Sequence, residues 1–364
     1  MPATNQKYKI GILGATGTVG QRFITLLANH PHFEVARVGA STRSAGKVYK
    51  DAVAWKMASA MPDRVKDLVV LECSPEKFQG CHIIFSGLDS EYAGEIEMKF
   101  LKADFAVFSN AKNYRQDPSV PLVVPLVNAD HLNLIPHQRK IHGLNKGFLV
   151  TNANCSTTGL VVALKPLMDA YGPLDQVIVH TMQAISGAGY PGCSALDILD
   201  NVVPYISGEE EKMEWEPLKI LGSITKDLTS FELVPSTTRI SATCNRVPVI
   251  DGHTMCVQVK FRRHPAPSPK DVEAILAAYT SAPQKLACTT SPEKAIYVST
   301  ECDRPQPKLD RDNGNGNAIT VGRVRECPVL DIKFTLLVHN TILGAAGSGI
   351  LNAEIAVAKG LISL

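Results

Sequence analysis

Apolar and polar residues follow two different patterns along this chain of 364 residues. In the first part, up to about residue 150, short apolar runs alternate with amphipathic stretches. Continuous apolar runs are typical of strands that are buried on both faces of a parallel sheet. Residues 19–29 carry apolar side chains at helical spacing, and Pro31 follows them. Strands that alternate with helices predict βαβ units and a doubly wound parallel sheet. The predicted strands are residues 8–13, 33–40, 81–86 and 105–109.

After about residue 151 the pattern changes to a long alternation of polar and apolar residues. Such alternation predicts antiparallel strands with one face against a layer of helices. The composition of residues 310–317, rich in Asp, Asn and Gly, predicts a flexible hairpin tip. This part of the chain is therefore expected to be an α+β domain with a large mixed sheet. Its predicted strands are residues 176–183, 254–262, 319–324 and 332–338, and its predicted helices are residues 271–279 and 344–362.

The composition narrows the class of protein. The 37 basic and 35 acidic residues give a net charge of only +2, which argues against a nucleic-acid or membrane surface as the partner. The nine cysteines include no CxxC pair, so neither a disulfide framework nor a metal site is expected. The N-terminus lacks the apolar run of a signal peptide, and the long apolar stretch 342–362 is interrupted by Asn352, Glu354 and Lys359. We therefore expect a cytoplasmic enzyme.

A glycine-rich segment joins the first predicted strand to the first predicted helix. Gly11, Gly14, Gly17 and Gly20 recur every third residue, with Thr16 between the second and third. At this position a phosphate would meet free backbone N–H groups and the positive end of the helix dipole. The spacing differs from the common G-x-G-x-x-G. A dinucleotide site and a simple packing turn therefore both remain open.

The loop after the second strand bears on cofactor choice. NAD-specific folds usually carry an acidic residue there, which binds the ribose hydroxyls. Residues 39–47 contain Ser41, Arg43, Ser44 and Lys47 but no carboxylate. Hydroxyls and cations suit a 2′-phosphate, so the loop predicts NADP. The alternative is a solvated basic loop.

Cys155 differs from the other cysteines in its surroundings. A strand ends before it and an apolar helix begins after it, so its thiol lies at a helix N-terminus, where the dipole favours a thiolate. Asn154 can cap this helix or donate to an oxyanion. A thiolate nucleophile needs a proton acceptor, and His253 is a candidate. From the sequence alone, His253 is equally well interpreted as a turn histidine exposed to water.

Several motifs in order give the chain a resemblance to a known family. Together they resemble the aspartate-β-semialdehyde dehydrogenase family, and the match extends from about residue 7 to the C-terminal helix. The loop 41–47 and the segment 208–212 are more similar to the archaeal and fungal branch than to the usual bacterial one. The motifs are residues 14–20, 41–46, 109–111, 154–157, 183–189 and 246–253.

The resemblance implies roles for individual residues. Cys155 matches the nucleophile, His253 the acid–base catalyst, and Gln183 the residue that orients the acyl group. Arg246 matches the arginine that pairs with the substrate α-carboxylate. The remaining substrate-binding residues implied are Asn154, Glu209 for the ammonium, and Lys212 and Arg115 for phosphate.

Glu209, Glu210 and Glu211 are consecutive, which leaves the ammonium-binding position open by one residue. Without the resemblance, the Glu/Lys run would be interpreted as a solvated helix face.

The resemblance also implies the cofactor contacts and the domain organisation. Residues 1–151 and 340–364 would form the NADP-binding domain, and residues 152–339 the catalytic and dimerisation domain. The protein would be a homodimer or a homotetramer. The implied cofactor-binding residues are Gly14, Thr16, Gly17, Thr18, Val19, Ser41, Arg43, Ser44, Ser86, Gly87, Ser186, Gly187 and Asn340.

The implied reaction is the NADPH-dependent reductive dephosphorylation of L-4-aspartyl phosphate to L-aspartate 4-semialdehyde. It would proceed through a thioester on Cys155 and release phosphate, with a proton supplied by His253. Two enzymes of the same plan remain as alternatives, N-acetyl-glutamyl-phosphate reductase and an acyl-CoA reductase. A catalytically idle NADP-binding sensor is an alternative from another class.

Overall fold

The structure is a computed structural model that describes residues 6–235 and 237–364. Its strands are β1 (Tyr8–Leu13), β2 (Phe33–Ala40), β3 (Val70–Glu72), β4 (Ile83–Ser86), β5 (Ala106–Ser109), β6 (Leu122–Val123), β7 (Phe148–Asn152), β8 (Leu174–Gln183), β9 (Ser223–Ile224), β10 (Phe231–Glu232), β11 (Arg239–Arg246), β12 (His253–Phe261), β13 (Ile296–Ser299), β14 (Ile319–Glu326) and β15 (Ile332–Val338).

The helices include several of a single turn. They are α1 (Thr18–Leu27), α2 (Tyr49–Ala52), α3 (Asp63–Lys66), α4 (Ser90–Lys102), α5 (Ile135–His142), α6 (Cys155–Tyr171), α7 (Ala195–Ile198), α8 (Glu209–Ile220), α9 (Pro269–Ala278), α10 (Ala282–Lys285), α11 (Pro307–Asp310) and α12 (Gly347–Ala358). Segments of 3₁₀-helix lie at Pro75–Phe78, Ala129–Leu134, Ile185–Ala188 and Asn313–Gly316, and a π-helical turn lies at Ile342–Ala346.

The first part of the chain forms a seven-stranded sheet in the order β3-β2-β1-β4-β5-β7-β6. Every pairing within it is parallel. The strand order reverses beside β1, where Leu13 lies opposite both Gly39 of β2 and Ser86 of β4. In open α/β sheets, ligands bind at the carboxyl ends of the strands at such a reversal. The turn Gly14–Gly17, closed by a 3.0 Å backbone hydrogen bond from Gly17 N to Gly14 O, lies at this point.

The last helix completes the core under this first sheet. Apart from Ala358, every residue of α12 is buried, and Ile350, Leu351 and Ile355 belong to the same apolar cluster as Ile10 of β1. The Glu354 carboxylate accepts hydrogen bonds from the backbone N–H groups of residues 289 and 290 and from the ring of His30. The C-terminal segment is therefore part of the first sheet's layer structure.

The second sheet has six strands in the order β11-β8-β12-β15-β14-β13 and is mixed. The pairs β8–β12, β12–β15 and β14–β15 are antiparallel, whereas β11–β8 and β13–β14 are parallel. Helices α6, α8 and α9 pack against one face. On the other face, His180 and Met182 of β8 remain exposed. The two sheets together match the expected α/β and α+β architecture.

One sequence prediction about this sheet is wrong. Residues 310–317 were expected to form a hairpin tip, but β13 and β14 run parallel, so no hairpin can join them. The segment instead contains the end of α11 and a short 3₁₀-helix. The hairpin of this region joins β14 to β15 through residues 327–331. Among the described residues, none of the helices is both long and apolar enough to cross a membrane.

Candidate active site

Cys155 is the first residue of α6, directly after the polar end of β7. The side-chain oxygen of Asn154 accepts hydrogen bonds from Ser156 N at 3.0 Å and Thr157 N at 3.1 Å, which caps the helix. These two bonds fix the start of the helix and hence the position of the thiol. The residue is partly exposed, as a nucleophile that meets a substrate must be.

The imidazole of His253 contacts the Cys155 thiol. His253 is the first residue of β12 and is fully buried, so the structure does not support its interpretation as an exposed turn residue. Its Nε2 lies 3.2 Å from Sγ of Cys155, and its Nδ1 accepts a 3.0 Å hydrogen bond from Ala184 N. Because Nδ1 is an acceptor, the neutral ring carries its proton on Nε2, towards the sulfur. Burial, followed by the charge of Arg246, holds the pKa of His253 well below its usual value.

The charge state of Cys155 differs from the sequence prediction. The helix dipole was expected to favour a thiolate, but burial and then the negative charge of Glu209 raise the pKa of this thiol to about 12. Arg246, Lys212 and the Ser156 N–H act in the opposite direction but do not outweigh them. The dipole effect of one helix terminus is small, whereas desolvation of a charged group is large. Desolvation therefore outweighs the helix dipole at this thiol.

Helix α8 brings charged side chains to the start of α6. Glu209 is buried, and its Oε1 accepts hydrogen bonds from Asn154 Nδ2 at 2.6 Å and from Lys212 Nζ at 3.0 Å. Glu210 instead accepts from the backbone N–H of Cys244 in the neighbouring sheet. Of the three consecutive glutamates, Glu209 is thus the one that reaches the residue beside the nucleophile.

Arg246 and Gly187 lie close together beside His253. Arg246 ends β11, is buried, and donates from Nη1 to Ala184 O at 2.8 Å. A Cβ on Gly187 would lie 2.9 Å from Arg246 Nη1 and 3.2 Å from Cε1 of His253. Gly187 is therefore needed for the close approach of this loop to the two side chains. Gly344 is a second close approach, since a Cβ there would lie 2.8 Å from Cβ of Cys155.

Arg115 and Lys212, the predicted phosphate ligands, line one cavity of about 330 Å³. Arg115 is only 7% exposed and donates from Nη1 to Glu216 at 2.7 Å and from Nη2 to Asn110 O at 2.9 Å. Its buried Nε has no hydrogen-bond partner within the described parts of the chain. A buried cationic donor without a partner is a good ligand for an anion.

Gln183 also holds a free polar atom. It is the last residue of β8 and is fully buried, and its Oε1 has no hydrogen-bond partner among residues 6–235 and 237–364. Its amide nitrogen donates to Thr181 Oγ1 over a long distance of 3.4 Å. The amide therefore keeps hydrogen-bonding capacity for a ligand.

A cleft of about 650 Å³ lies where the strand order of the first sheet reverses. Five of the predicted cofactor-binding residues line it: Gly14, Thr16, Gly17, Ser41 and Gly87. Thr18 and Ser186 line a neighbouring cavity of about 260 Å³ between the glycine loop and the second sheet. Asn340 donates to Ser186 Oγ at 2.8 Å, while Val19 packs beside Gly87 and Ser86 is buried at the end of β4. A long cleft lined by helix N–H groups, small residues and hydroxyls fits a dinucleotide.

Arg43 and Ser44, which were predicted to meet the 2′-phosphate, do not line the cleft, whereas two carboxylates that were not foreseen, Glu72 and Asp89, do. The loop 39–47 itself holds no carboxylate, but the cleft beside it does. Glu72 ends β3 and pairs in register with Ala40, the residue before the loop. Only the strand order of the sheet could have revealed this neighbour.

Two buried residues of α8, Glu216 and Lys219, were not predicted from the sequence. Glu216 bonds both Arg115 and the backbone N–H of Asn154, and the ammonium of Lys219 donates to three backbone carbonyls. The signal was present in the spacing, because positions 209, 212, 216 and 219 share one helix face.

Among the described residues, no group of three or more His, Cys, Asp or Glu side chains could hold a metal ion.

Comparison with known proteins places this geometry in a family. A model described as "Semialdehyde dehydrogenase, NAD binding domain" matches residues 9–135, and one described as "Semialdehyde dehydrogenase, dimerisation domain" matches residues 164–343. The aspartate-semialdehyde dehydrogenase of Schizosaccharomyces pombe is 58% identical over 97% of this chain and 99% of its own length. Fungal and archaeal relatives of the same name range from 45 to 59% identity.

Solved structures agree with the sequence matches. The aspartate-semialdehyde dehydrogenase of Candida albicans with NADP has a TM-score of 0.92 at 52% identity, covering 98% of this chain and 100% of its own. Aspartate-semialdehyde dehydrogenase II of Vibrio cholerae complexed with ASA has a TM-score of 0.74 at 25% identity, covering 97% and 98%. The resemblance inferred from the six motifs, including its fungal and archaeal character, is confirmed, and the chain belongs to the aspartate-semialdehyde dehydrogenase family.

Proposed function

We propose that this chain reduces L-4-aspartyl phosphate to L-aspartate 4-semialdehyde with NADPH, releasing phosphate, within the aspartate pathway to lysine, threonine, methionine and isoleucine. The observation that carries the proposal is the 3.2 Å contact between the Cys155 thiol and His253, with charged groups for both ends of the substrate around it. A nucleophile with an adjacent proton donor is the arrangement that thioester chemistry requires.

The charged groups discriminate among related acyl substrates. Glu209 would pair with the substrate ammonium and Arg246 with its α-carboxylate, while Arg115 and Lys212 would hold the phosphate. An N-acetylated substrate has no ammonium, so Glu209 would face an uncharged amide, which disfavours an N-acetyl-glutamyl-phosphate reductase. A coenzyme A thioester would place no phosphoryl group against the free Nε of Arg115. The intact thiol–imidazole pair argues against an idle NADP-binding sensor.

The first half of the reaction is acyl transfer to sulfur. Sγ of Cys155 attacks the acyl carbon, a C–S bond forms, and the bond from carbon to the phosphate oxygen breaks. The thiol proton leaves with the phosphate as hydrogen phosphate, next to Arg115 and Lys212. Asn154 holds the helix start, and Gln183 orients the acyl oxygen through its free amide. A thiol with a pKa of about 12 needs the substrate in place before its proton can move.

In the second half, the thioester is reduced and the sulfur is released. NADPH, when bound in the cleft, would supply the hydride. His253 stabilises the oxyanion of the tetrahedral thiohemiacetal through a hydrogen bond from Nε2–H, because the Ala184 N–H occupies Nδ1. The C–S bond then breaks to give the aldehyde and the Cys155 thiolate, and the thiolate takes up a proton from water. Residues of the glycine loop, with Ser41, Gly87, Ser186, Gly187 and Asn340, would hold the cofactor.

The second sheet supports a homodimer or a homotetramer. In the part of the chain that the structure describes, helices α6, α8 and α9 cover one face of this sheet, and the segment 190–206 exposes apolar side chains. Leu196 is 92% exposed, Leu199 64% and Tyr205 65%. A contiguous exposed apolar surface on a folded chain is typical of a protein interface.

We place the domain limits at residues 1–151 with 340–364 and at 152–339, and we propose a cytoplasmic location.

The proposal is tested with purified protein, L-aspartate 4-semialdehyde, NADP⁺ and phosphate, by following NADPH absorbance. We expect turnover that requires phosphate and is lost in Cys155→Ala. N-acetyl-glutamate semialdehyde and an aldehyde with coenzyme A serve as competing substrate pairs. Faster turnover with either pair would overturn the assignment of Glu209 and Arg115.

A further inference from the structure

We propose that Glu216 and Lys219, in the second half of α8, are positioning residues that hold Arg115 in the orientation that binds phosphate. The inference rests on the proposed assignment of Arg115 to phosphate. Neither residue is expected to touch the substrate. Both act through the segment 110–120, which belongs to the first sheet's layer, whereas α8 packs with the second sheet.

Glu216 joins the phosphate ligand to the nucleophile's helix. Its carboxylate is 2% exposed, and its two oxygens have different partners. Oε1 accepts from Nη1 of Arg115 at 2.7 Å, and Oε2 accepts from the backbone N–H of Asn154, also at 2.7 Å. One buried carboxylate therefore fixes the distance between the guanidinium and the residue that caps α6.

Lys219 holds the backbone that carries Arg115. Its side chain is 2% exposed, and its ammonium donates to the carbonyl oxygens of Arg115, Asp117 and Val120 at 2.7–2.9 Å. The same ammonium lies 4.5 Å from the ring centroid of Phe231. Burial lowers the pKa of Lys219 to about 8, and the charge of Asp117 acts in the opposite direction. The three carbonyl dipoles and the aromatic face also favour the charged form. A buried lysine that satisfies three carbonyls of residues 115–120 fixes the shape of that segment.

These contacts determine which part of Arg115 is free. Nη1 is committed to Glu216 and Nη2 to Asn110 O, so the guanidinium cannot rotate. Among the described residues, Nε is the guanidinium nitrogen that has no partner. The fixed guanidinium can therefore meet the anion with its Nε–H. This fixed geometry is what distinguishes an arginine from the flexible ammonium of a lysine.

Four charged residues on one face of α8 serve the same site from both ends of the helix. Glu209 and Lys212 lie at its start, and Glu216 and Lys219 follow on the same face. The first pair faces the substrate, and the second pair fixes the phosphate ligand. A single helix therefore sets the spacing between the ammonium site and the phosphate site.

A negative charge beside an anion site could instead simply weaken anion binding. If Glu216 acted only through its charge, its removal would strengthen phosphate binding by Coulomb attraction. If it orients Arg115, its removal weakens phosphate binding. The direction of the change in the phosphate KM therefore separates the two roles.

The experiment measures kcat and the KM values for phosphate and L-aspartate 4-semialdehyde in the oxidative direction. The variants are Glu216→Gln, Lys219→Met, Arg115→Ala and each pairing with Arg115→Ala. Glu214→Gln is the matched control, because Glu214 makes a comparable bond to the backbone N–H of Ala242 but does not contact Arg115. The melting temperature of each variant reports stability separately from activity.

We expect Glu216→Gln and Lys219→Met each to raise the phosphate KM roughly tenfold, the effect of losing one charge-assisted contact. The KM for the aldehyde should change much less. In the Arg115→Ala background neither change should raise the phosphate KM further, since both act through Arg115. Glu214→Gln should lower only the melting temperature.

Three outcomes would overturn the proposal. A lower phosphate KM in Glu216→Gln would make this residue a simple opposing charge. Losses that add to that of Arg115→Ala would mean independent roles. An effect of Arg115→Ala without any effect of the other two would leave the phosphate site intact and remove their positioning role. If Arg115→Ala itself leaves the phosphate KM unchanged, the phosphate assignment fails as well.

Discussion

The charge of Glu209 offers a sharp test of how the site controls its thiol. We predict that Glu209→Gln makes Cys155 more reactive towards iodoacetamide, although the same variant should bind substrate poorly. Thiolate is the form that reacts, and the carboxylate of Glu209 is the largest charge that disfavours it, second only to burial. The sign follows directly, since removal of a negative charge lowers the pKa of a neighbouring thiol.

The magnitude follows from the pKa of about 12 for Cys155. At pH 8 such a thiol is ionised in roughly one molecule in ten thousand. Loss of one nearby charge shifts a pKa by about one unit or more, so the thiolate fraction and the alkylation rate should rise about tenfold. The cap of α6 should survive, because a glutamine oxygen can still accept from Asn154 Nδ2.

The assay follows alkylation of the Cys155 peptide by mass spectrometry between pH 7 and 10. Exposed Cys302 serves as an internal reference in the same sample. Glu210→Gln is the matched control, because Glu210 is adjacent in the chain but bonds Cys244 N. An unchanged or slower rate at Cys155 in Glu209→Gln would refute the reasoning. If the alkylation rate of the unaltered protein reaches a plateau by pH 9, the pKa of Cys155 lies well below about 12, and the reasoning fails.

Three further predictions concern catalysis and cofactor binding. Cys155→Ser should fold normally, with an unchanged melting temperature, but should lose at least a thousandfold in kcat, because an alcohol is far less ionised than a thiol; a tenth of normal activity would exclude the thioester. Gly187→Ala should raise the KM for L-aspartate 4-semialdehyde about tenfold or more, because the added Cβ would lie 2.9 Å from Nη1 of Arg246 and would displace the guanidinium. An unchanged KM would mean that Arg246 does not bind the substrate. Glu72→Gln should tighten NADP⁺ more than NAD⁺ in equilibrium titrations, because the carboxylate repels a 2′-phosphate. Equal changes for the two cofactors would contradict this.

The fold was predictable where strands are long and central. The apolar runs at β1, β2, β4 and β5 identified the parallel sheet, since only strands buried on both faces lack polar alternation. Of the strands not recognised, β3, β6 and β13 lie at sheet edges and have two to four residues, whereas β11 is an edge strand of eight residues. Two to four residues cannot display a periodicity.

Some residues of the site were predictable from the sequence and others were not. Cys155 and His253 lie in local motifs, and the structure brings the two side chains together, although their catalytic roles remain predictions. Glu216 and Glu72 could not be found, because each is defined by a partner more than thirty residues away in sequence. The charge state of Cys155 also escaped prediction, because desolvation depends on the whole environment and not on the helix terminus alone.

The place of α12 in the first core has a consequence for synthesis on the ribosome. Strands β1 to β5 leave the ribosome long before residues 347–358, the helix that fills their core. The second sheet is completed at Val338, before α12 emerges. The nascent chain therefore carries an open apolar surface until α12 has been made. A chain that stops near residue 340 would expose the underside of the cofactor sheet, and its clearance by proteases should be far faster than that of the complete protein.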